Sequence, residues 1–324
     1  MLSPNLPSPP RRFWLPVLYL LLVGVLFSGT PAFARAPFPF MWIANAGEDT
    51  VSKFDTQDNR EVARYRTWFG PEGQPGHYNH LGGAWDGAAP SRTSVDPQTG
   101  DAFVLNRHFD GRPALLMKIL REGGVDRNRN GVIDTSSDLN GDGLIDGNEI
   151  KPLADSNNDG RIDPGEIQDE RIAWAVTVGA EYGLGRALCM GTDRNLWVGL
   201  YNASEYWKVS GVDGAILAGP VSTNTAPYGC LIDANGTLWN AQSIGRIVNT
   251  QGPGPYTYDD LGSSNLAGGS GYCLALGNQK VYYTGDNSFT EVDPVAQAVR
   301  EPVNEAGEPG IGSIGISVDS NGNI

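Results

Sequence analysis

Beyond residue 40 the chain runs in short stretches of five or six alternating apolar and polar positions, each closed by turn residues, with no long stretch of helical spacing between them. MWIAN (Met41–Asn45), AFVLN (Ala102–Asn106), LWVGL (Leu196–Leu200), LWNAQ (Leu238–Gln242) and VYYTG (Val281–Gly285) are the same strand met five times. The last three set Trp197, Trp239 and Tyr282 at intervals of 42 and 43 residues. Most copies follow a strand that ends in an acidic or glycine turn, as in SVDPQTG from Ser94, CLIDANG from Cys230 and SVDSNGN from Ser317. Two further runs joined by a tight turn come after, as in YWKVSGVDGAILAGP (Tyr206–Pro220), where GVDG is the hairpin signal.

Four strands per unit of about 40 to 45 residues is the size of a β-propeller blade. The expected fold is therefore all-β, a propeller of four-stranded blades over residues 35–324, with five blades visible and more if the chain continues beyond Ile324. The run Gly315–Ile324 reads as an innermost strand and Met41–Asn45 as a second strand. Together they would make one composite blade that closes the ring and removes two open edges.

Two segments depart from the repeat. Residues 1–34 read as a signal peptide: Arg11 and Arg12 precede an apolar run from Phe13 to Phe27, and Ala32-Phe33-Ala34 offers the small residues of a cleavage site. The competing reading is an uncleaved anchor, since Phe13–Thr30 is nearly long enough to span a bilayer. Cleavage leaves no membrane span, and the expected location is secreted, periplasmic or at the cell surface.

The second departure, residues 122–170, falls between the strands LLMKIL (Leu115–Leu120) and RIAWAVTV (Arg171–Val178), where other blades carry a turn of a few residues. Calcium takes six to eight oxygens, and a twelve-residue loop supplies them from positions 1, 3, 5, 7, 9 and 12, with glycine at position 6. DLNGDGLIDGNE offers Asp138, Asn140, Asp142, the Leu144 carbonyl, Asp146 and Glu149 around Gly143. DSNNDGRIDPGE offers Asp155, Asn157, Asp159, the Arg161 carbonyl, Asp163 and Glu166 around Gly160. In DRNRNGVIDTSS, Asp126, Asn128, Asn130 and Asp134 fit around Gly131, but position 12 is Ser137, and Asp138 next to it is the expected substitute. Ile145 and Ile162 at position 8 are expected to join paired loops through a short β contact. From Asp126 to Glu170 there are 12 acidic and 4 basic residues, so without metal the insert should be extended by self-repulsion. Calcium would fold it into a stiff projecting arm.

Composition narrows the function classes. With 43 Gly and 22 Pro the 324-residue chain is rich in turns. A formal charge of −14 repels nucleic acid and suits cation binding. Cys189, Cys230 and Cys273 recur 41 and 43 residues apart at matching inner-strand positions. They are expected as three small buried thiols, the alternative being one disulfide between neighbours after export.

GTLWNAQSIGRI (Gly236–Ile247) and RNLWVGLYNASEYWKV (Arg194–Val209) resemble the blades of virginiamycin B lyase-like propellers, and WIANAGEDTVSKFD (Trp42–Asp55) resembles secreted NHL and YVTN-type propellers. The acidic segment resembles the EF-hand-like loops of thrombospondin type 3 repeats and dockerins. The lyase resemblance implies a metal-bearing face with His and acidic residues. Here Gly199-Leu200 and Ala241-Gln242 follow the Leu-Trp strands, and no His follows His108, so the likeness carries the scaffold without a recognisable active site. His77 and His80 lie in the connection GPEGQPGHYNHLGGAWDG, and His108 with Asp110 follows the second blade's second strand. Both loops should emerge on one face, where two His and a carboxylate suit a transition metal.

The expected function is an exported calcium-binding propeller that acts as a binding or surface-interaction module for an extracellular protein, glycan or small molecule. The alternative is a metal-dependent lyase or lactone hydrolase with its site near His77, His80 and His108.

Overall fold

A computed structural model describes residues 38–69, 87–262, 271–284, 289–296, 298–300 and 316–319. The first sheet holds β1 (Phe40–Asn45), β2 (Thr50–Asp55) and β3 (Arg60–Arg66). The second holds β4 (Pro90–Val95), β5 (Ala102–Asn106), β6 (Ala114–Ile119) and β7 (Ile172–Val178). The third holds β8 (Gly185–Met190), β9 (Leu196–Leu200), β10 (Glu205–Val209) and β11 (Ile216–Ser222). The fourth holds β12 (Cys230–Ile232), β13 (Leu238–Asn240), β14 (Gly245–Ile247) and β15 (Tyr258–Asp260). The fifth holds β16 (Cys273–Gly277), β17 (Lys280–Thr284), β18 (Phe289–Asp293) and β19 (Ala298–Arg300). Within each sheet sequential strands are antiparallel neighbours, so every sheet is a meander. The fold is all-β and of propeller type. The expected leader, residues 1–34, lies outside the described residues; of the expected closing strand Gly315–Ile324, only Ile316–Asp319 is described, and it carries no strand. Among the described residues no helix is long and apolar enough to cross a membrane.

Apolar cores lie between successive sheets, which explains why β5, β9 and β13 are buried on both faces. In β5, Val104 faces the first sheet's Trp42 and Tyr65, while Phe103 and Leu105 face Val198 and Leu200 of the third. Trp197 packs toward the fourth sheet with Tyr206 and Cys189, and Trp239 toward the fifth with Tyr283 and Val292. Each such aromatic anchors one core, and truncating a buried Trp to Ala costs about 3 to 5 kcal/mol.

A polar repeat overlies this apolar one. In four of the five sheets an aromatic stands opposite a cation on the next strand: Trp42 faces Lys53, Phe103 faces Lys118, Trp197 faces Lys208 and Trp239 faces Arg246. Each cation donates to a carbonyl just past the third strand of the following sheet. Lys53 Nζ reaches Arg121 O at 2.6 Å, Lys118 Nζ reaches Gly211 O at 3.0 Å, Lys208 Nζ reaches Thr250 O at 2.6 Å and Arg246 Nη1 reaches Pro294 O at 3.5 Å. An aromatic ring and the carbonyl, joined by Asp101 at Lys118, Asp193 at Lys208 and Asp259 at Arg246, compensate a cation taken out of water. In the fifth sheet the cation's place opposite Tyr282 is taken by Glu291.

The cysteines depart from expectation. Cys189 and Cys230 form a disulfide that ties β8 to β12 across two sheets, with Cα atoms 5.7 Å apart, and Cys273 stands outside it. Near-equal spacing along the chain hid unequal registers: Cys189 pairs with Trp197, whereas Cys230 pairs with Asn240, one residue past Trp239. The offset brings the two sulfurs together across the gap.

The segment between β6 and β7 is not a projecting arm. Its neck is closed by Leu120 N–H donating to Arg171 O at 2.8 Å. Leu153, Ile162 and Ile167 then join the core shared by the first and second sheets, beside Trp42, Tyr65 and Trp68. The acidic segment therefore carries its own apolar underside. Burial, seconded by the nearby Asp169 carboxylate, pushes the Tyr65 hydroxyl up to about 12.

Candidate metal centre

Three loops of one design occupy the insert. Position 6 is glycine in each, at φ +80° (Gly131), +85° (Gly143) and +74° (Gly160), the left-handed turn that only glycine adopts without strain. No neighbouring atom lies within 4 Å of a Cβ built on Gly131 or Gly143, so conformation and not space demands the residue there.

The first aspartate of each loop folds the turn around itself. Asp126 accepts from Asn130 and Gly131 N–H, Asp138 from Gly141 and Gly143 N–H, and Asp155 from Asp159 and Gly160 N–H, all between 2.7 and 3.1 Å. The residues at positions 3 and 5 repeat the device. Asn140 and Asn157 accept from the N–H of Asp142 and Asp159, and those aspartates accept in turn from Leu144 and Arg161.

The twelfth position is where the loops close. Glu149 accepts from Leu139 N–H at 2.8 Å and Asn140 N–H at 3.0 Å through one oxygen, and from Asp146 N–H at 3.3 Å through the other. Glu166 repeats this with Ser156 N–H at 2.6 Å and Asp163 N–H at 3.0 Å. Each of these carboxylates thus spans positions 2 and 9 of its own loop, and both are buried. Burial works upward on the Glu166 carboxyl, but the N–H groups of Asp163 and Ser156 and the Ser156 hydroxyl outweigh it and hold the pKa below the usual range.

In the first loop Glu170 does the same, from outside the loop. It accepts from Arg127 N–H at 2.7 Å and Asn128 N–H at 3.3 Å through one oxygen, and from Asp134 N–H at 2.9 Å through the other. These are positions 2, 3 and 9, the pattern of Glu149. The Asp134 N–H bond, with those of Asn128 and Arg127, holds the Glu170 carboxyl below its ordinary pKa. The expected substitute, Asp138, is turned into its own loop instead. Sequence reasoning missed Glu170 because it lies 36 residues after Asp134. The surplus acid pair Asp169-Glu170 at the insert's end was its one signal.

The expected β contact between Ile145 and Ile162 is replaced by a bridge between Leu153 and Ile167. Ile162 is used in the core beneath, and Ile145 is buried as well. Among the described residues no three His, Cys, Asp or Glu side chains converge as a ready-made cluster. Each loop instead mixes carboxylates with asparagine amides and a position-7 carbonyl, an all-oxygen set of the kind a hard cation takes and a thiophilic metal does not.

The histidine site divides. His77 and His80 lie outside the described residues. His108 is 1% exposed, with φ +61°, and packs edge-on to Trp68 at 4.4 Å between ring centroids. Its Nδ1 lies 3.1 Å from Asp110, and its buried Nε2 has no hydrogen-bond partner among the described residues. Asp110 also pairs with Arg112, whose Nε stands 3.4 Å from where a Cβ on Gly160 would be. The third loop and the His108 group thus lie side by side.

No family model and no curated protein sequence matches the chain. Solved structures do. A streptogramin B lyase is similar at 14% identity and TM-score 0.50, covering 82% of this chain and 65% of that one. A catalytically inactive virginiamycin B lyase from Staphylococcus aureus with quinupristin is similar at 13% identity and TM-score 0.50, covering 85% and 70%. This chain therefore spans about two thirds of the length of these lyases. Likeness at this identity defines the class, a β-propeller-type protein, and nothing of the chemistry.

Proposed function

We propose that the protein is an exported calcium-binding β-propeller that acts as a binding or surface-interaction module. Calcium is held by the oxygens of Asp138, Asn140, Asp142, Leu144, Asp146 and Glu149 in one loop and of Asp155, Asn157, Asp159, Arg161, Asp163 and Glu166 in the next. The first loop supplies Asp126, Asn128, Asn130 and Asp134, with Glu170 as its closing carboxylate. The observation that carries this reading is the threefold recurrence of a buried carboxylate bonded across positions 2 and 9, once from a residue outside the loop. Recurrence of the closure where the motif lacks its own glutamate speaks for a common ligand. When bound, the ion supplies charge neutralisation, not reactivity, and modules outside the cell hold it with Kd of roughly 10⁻⁴ to 10⁻³ M. The Cys189–Cys230 disulfide supports an oxidising compartment and hence export.

The test is calorimetric titration of the decalcified full chain. Three calcium ions are expected for the native protein and two for Glu170→Gln, with Glu149→Gln and Glu166→Gln each removing another. Absence of binding heat at millimolar calcium would refute the assignment.

One observation favours a second reading, a metal-dependent lyase or lactone hydrolase. His108 is oriented by Asp110 through Nδ1 and keeps Nε2 unpartnered among the described residues, the arrangement of an oriented metal-ligating imidazole. Metal analysis of protein purified without chelator separates the two. Zinc, manganese or magnesium that disappears in a His77→Ala/His80→Ala variant supports the enzyme, and calcium alone supports the binding module.

A further inference from the structure

Away from the insert, positive charge gathers where no carboxylate among the described residues answers it. Arg92 of β4 and Arg186 of β8 both lie against Tyr228, just ahead of β12, with guanidinium carbons 5.4 and 4.2 Å from the ring centroid. Arg92 Nε donates to Arg186 O at 3.0 Å and its Nη2 to Tyr228 O at 3.1 Å, so this side chain reaches from the second sheet to the fourth. Arg186 Nη2 donates to the Tyr228 hydroxyl. Every acceptor is neutral. Neither arginine forms an ion pair among the described residues, whereas Arg64, Arg112, Arg194, Lys118, Lys208 and Arg246 each have a carboxylate. Burial and the like charge of Arg186 lower the proton affinity of Arg92, outweighing the upward pull of Tyr228 and Cys273.

The surroundings are aromatic. Tyr228 meets Tyr201 at 6.0 Å and Tyr272 at 5.4 Å, both edge-on, so three phenol rings from successive sheets line one wall. A guanidinium has five N–H donors in a planar fork that matches a carboxylate. Arg92 has committed two and Arg186 one. In a chain of net charge −14, two adjacent half-buried arginines with no acid among the described residues are costly unless an anion completes them.

We propose that Arg92 and Arg186 form a binding site for a small organic carboxylate, where the inner strands of the second, third and fourth sheets meet, with the tyrosine wall receiving the ligand's apolar body. The site is separate from the calcium loops and needs no metal.

Benzoate is the probe, benzamide its uncharged counterpart and inorganic phosphate the control for general anion attraction. All are titrated into the full chain by calorimetry, once with calcium and once with chelator. Saturable benzoate binding is expected, unchanged by chelation, with benzamide and phosphate at least tenfold weaker. Arg186→Gln should weaken benzoate at least tenfold. Tyr228→Phe keeps the ring but frees Arg186 from its hydroxyl anchor, and should weaken benzoate severalfold while leaving the ligand-free melting temperature near native. Equal binding of benzoate and benzamide, phosphate binding as tight as benzoate, no benzoate binding, or full binding by folded Arg186→Gln would each overturn the proposal.

Discussion

Chelating calcium from the full chain should lower its melting temperature, and the size of the shift follows from the loops. A site with Kd of roughly 10⁻⁴ to 10⁻³ M, in about 2 mM calcium, stabilises the folded state by RT ln(1 + [L]/Kd), about 0.6 to 1.8 kcal/mol. Three such loops contribute about 2 to 5 kcal/mol together. Unfolding entropy of about 2.1 cal/mol/K per residue gives roughly 0.6 kcal/mol/K for the propeller, so the expected shift is about 3 to 9 °C. The propeller should feel the loss because Leu153, Ile162 and Ile167 of the insert share a core with Trp42 and Tyr65. The assay is calorimetric or fluorescence-detected melting in chelator and in calcium, with a Glu149→Gln/Glu166→Gln/Glu170→Gln variant as reference. That variant should melt near the chelated native protein and ignore calcium. Identical native melting curves in chelator and in excess calcium would refute the reasoning, as would a magnesium effect of equal size.

Three further outcomes are expected. Removing the disulfide by Cys189→Ser/Cys230→Ser frees a closure spanning 41 residues and should cost about 4 kcal/mol in denaturant unfolding, while alkylation of the denatured native chain without reductant should label one thiol and not three. Lys208→Met strips Thr250 O and Asp193 of a cation that is 4% exposed, and should cost about 3 to 5 kcal/mol. The Asp193 carboxyl, which burial pushes up but Lys208 holds down, should then titrate higher by NMR. Acid unfolding supplies the last. Burial works upward on Asp110, yet His108 and Arg112 hold it down to about 2, so its stabilisation is complete above pH 4, near the unfolded value, and is lost as pH falls through about 2. Asp110→Asn should flatten the stability profile across that window, and an unchanged profile would remove the ion pair from the account.

Strand repeats were legible in the sequence because alternation and the aromatic period are local, and MWIAN, AFVLN and LWVGL sit where the pattern places them. Glycine at position 6 was legible for the same reason. Glu170 was not, because its role depends on the chain returning to its starting point after three loops, and no spacing rule encodes that return. The disulfide was only half legible: Cys189 stands eight residues before Trp197 and Cys230 nine before Trp239, and only the paired strands turn that one-residue difference into sulfurs that meet. Docking of the insert was half legible, since Leu153, Ile162 and Ile167 stood out within an acidic run but named no partner.

The neck of the insert has a consequence for how such a chain can change. Because Leu120 and Arg171 keep their hydrogen bond, the pairing of β6 with β7 continues to the neck of the insert. Loop-closure entropy grows only with the logarithm of length, so about fifty residues disturb the hairpin hardly more than a dozen would. The hairpin tip can therefore host a different module without shifting the β6–β7 register, provided the newcomer again covers Trp42 and Tyr65 as Leu153, Ile162 and Ile167 do.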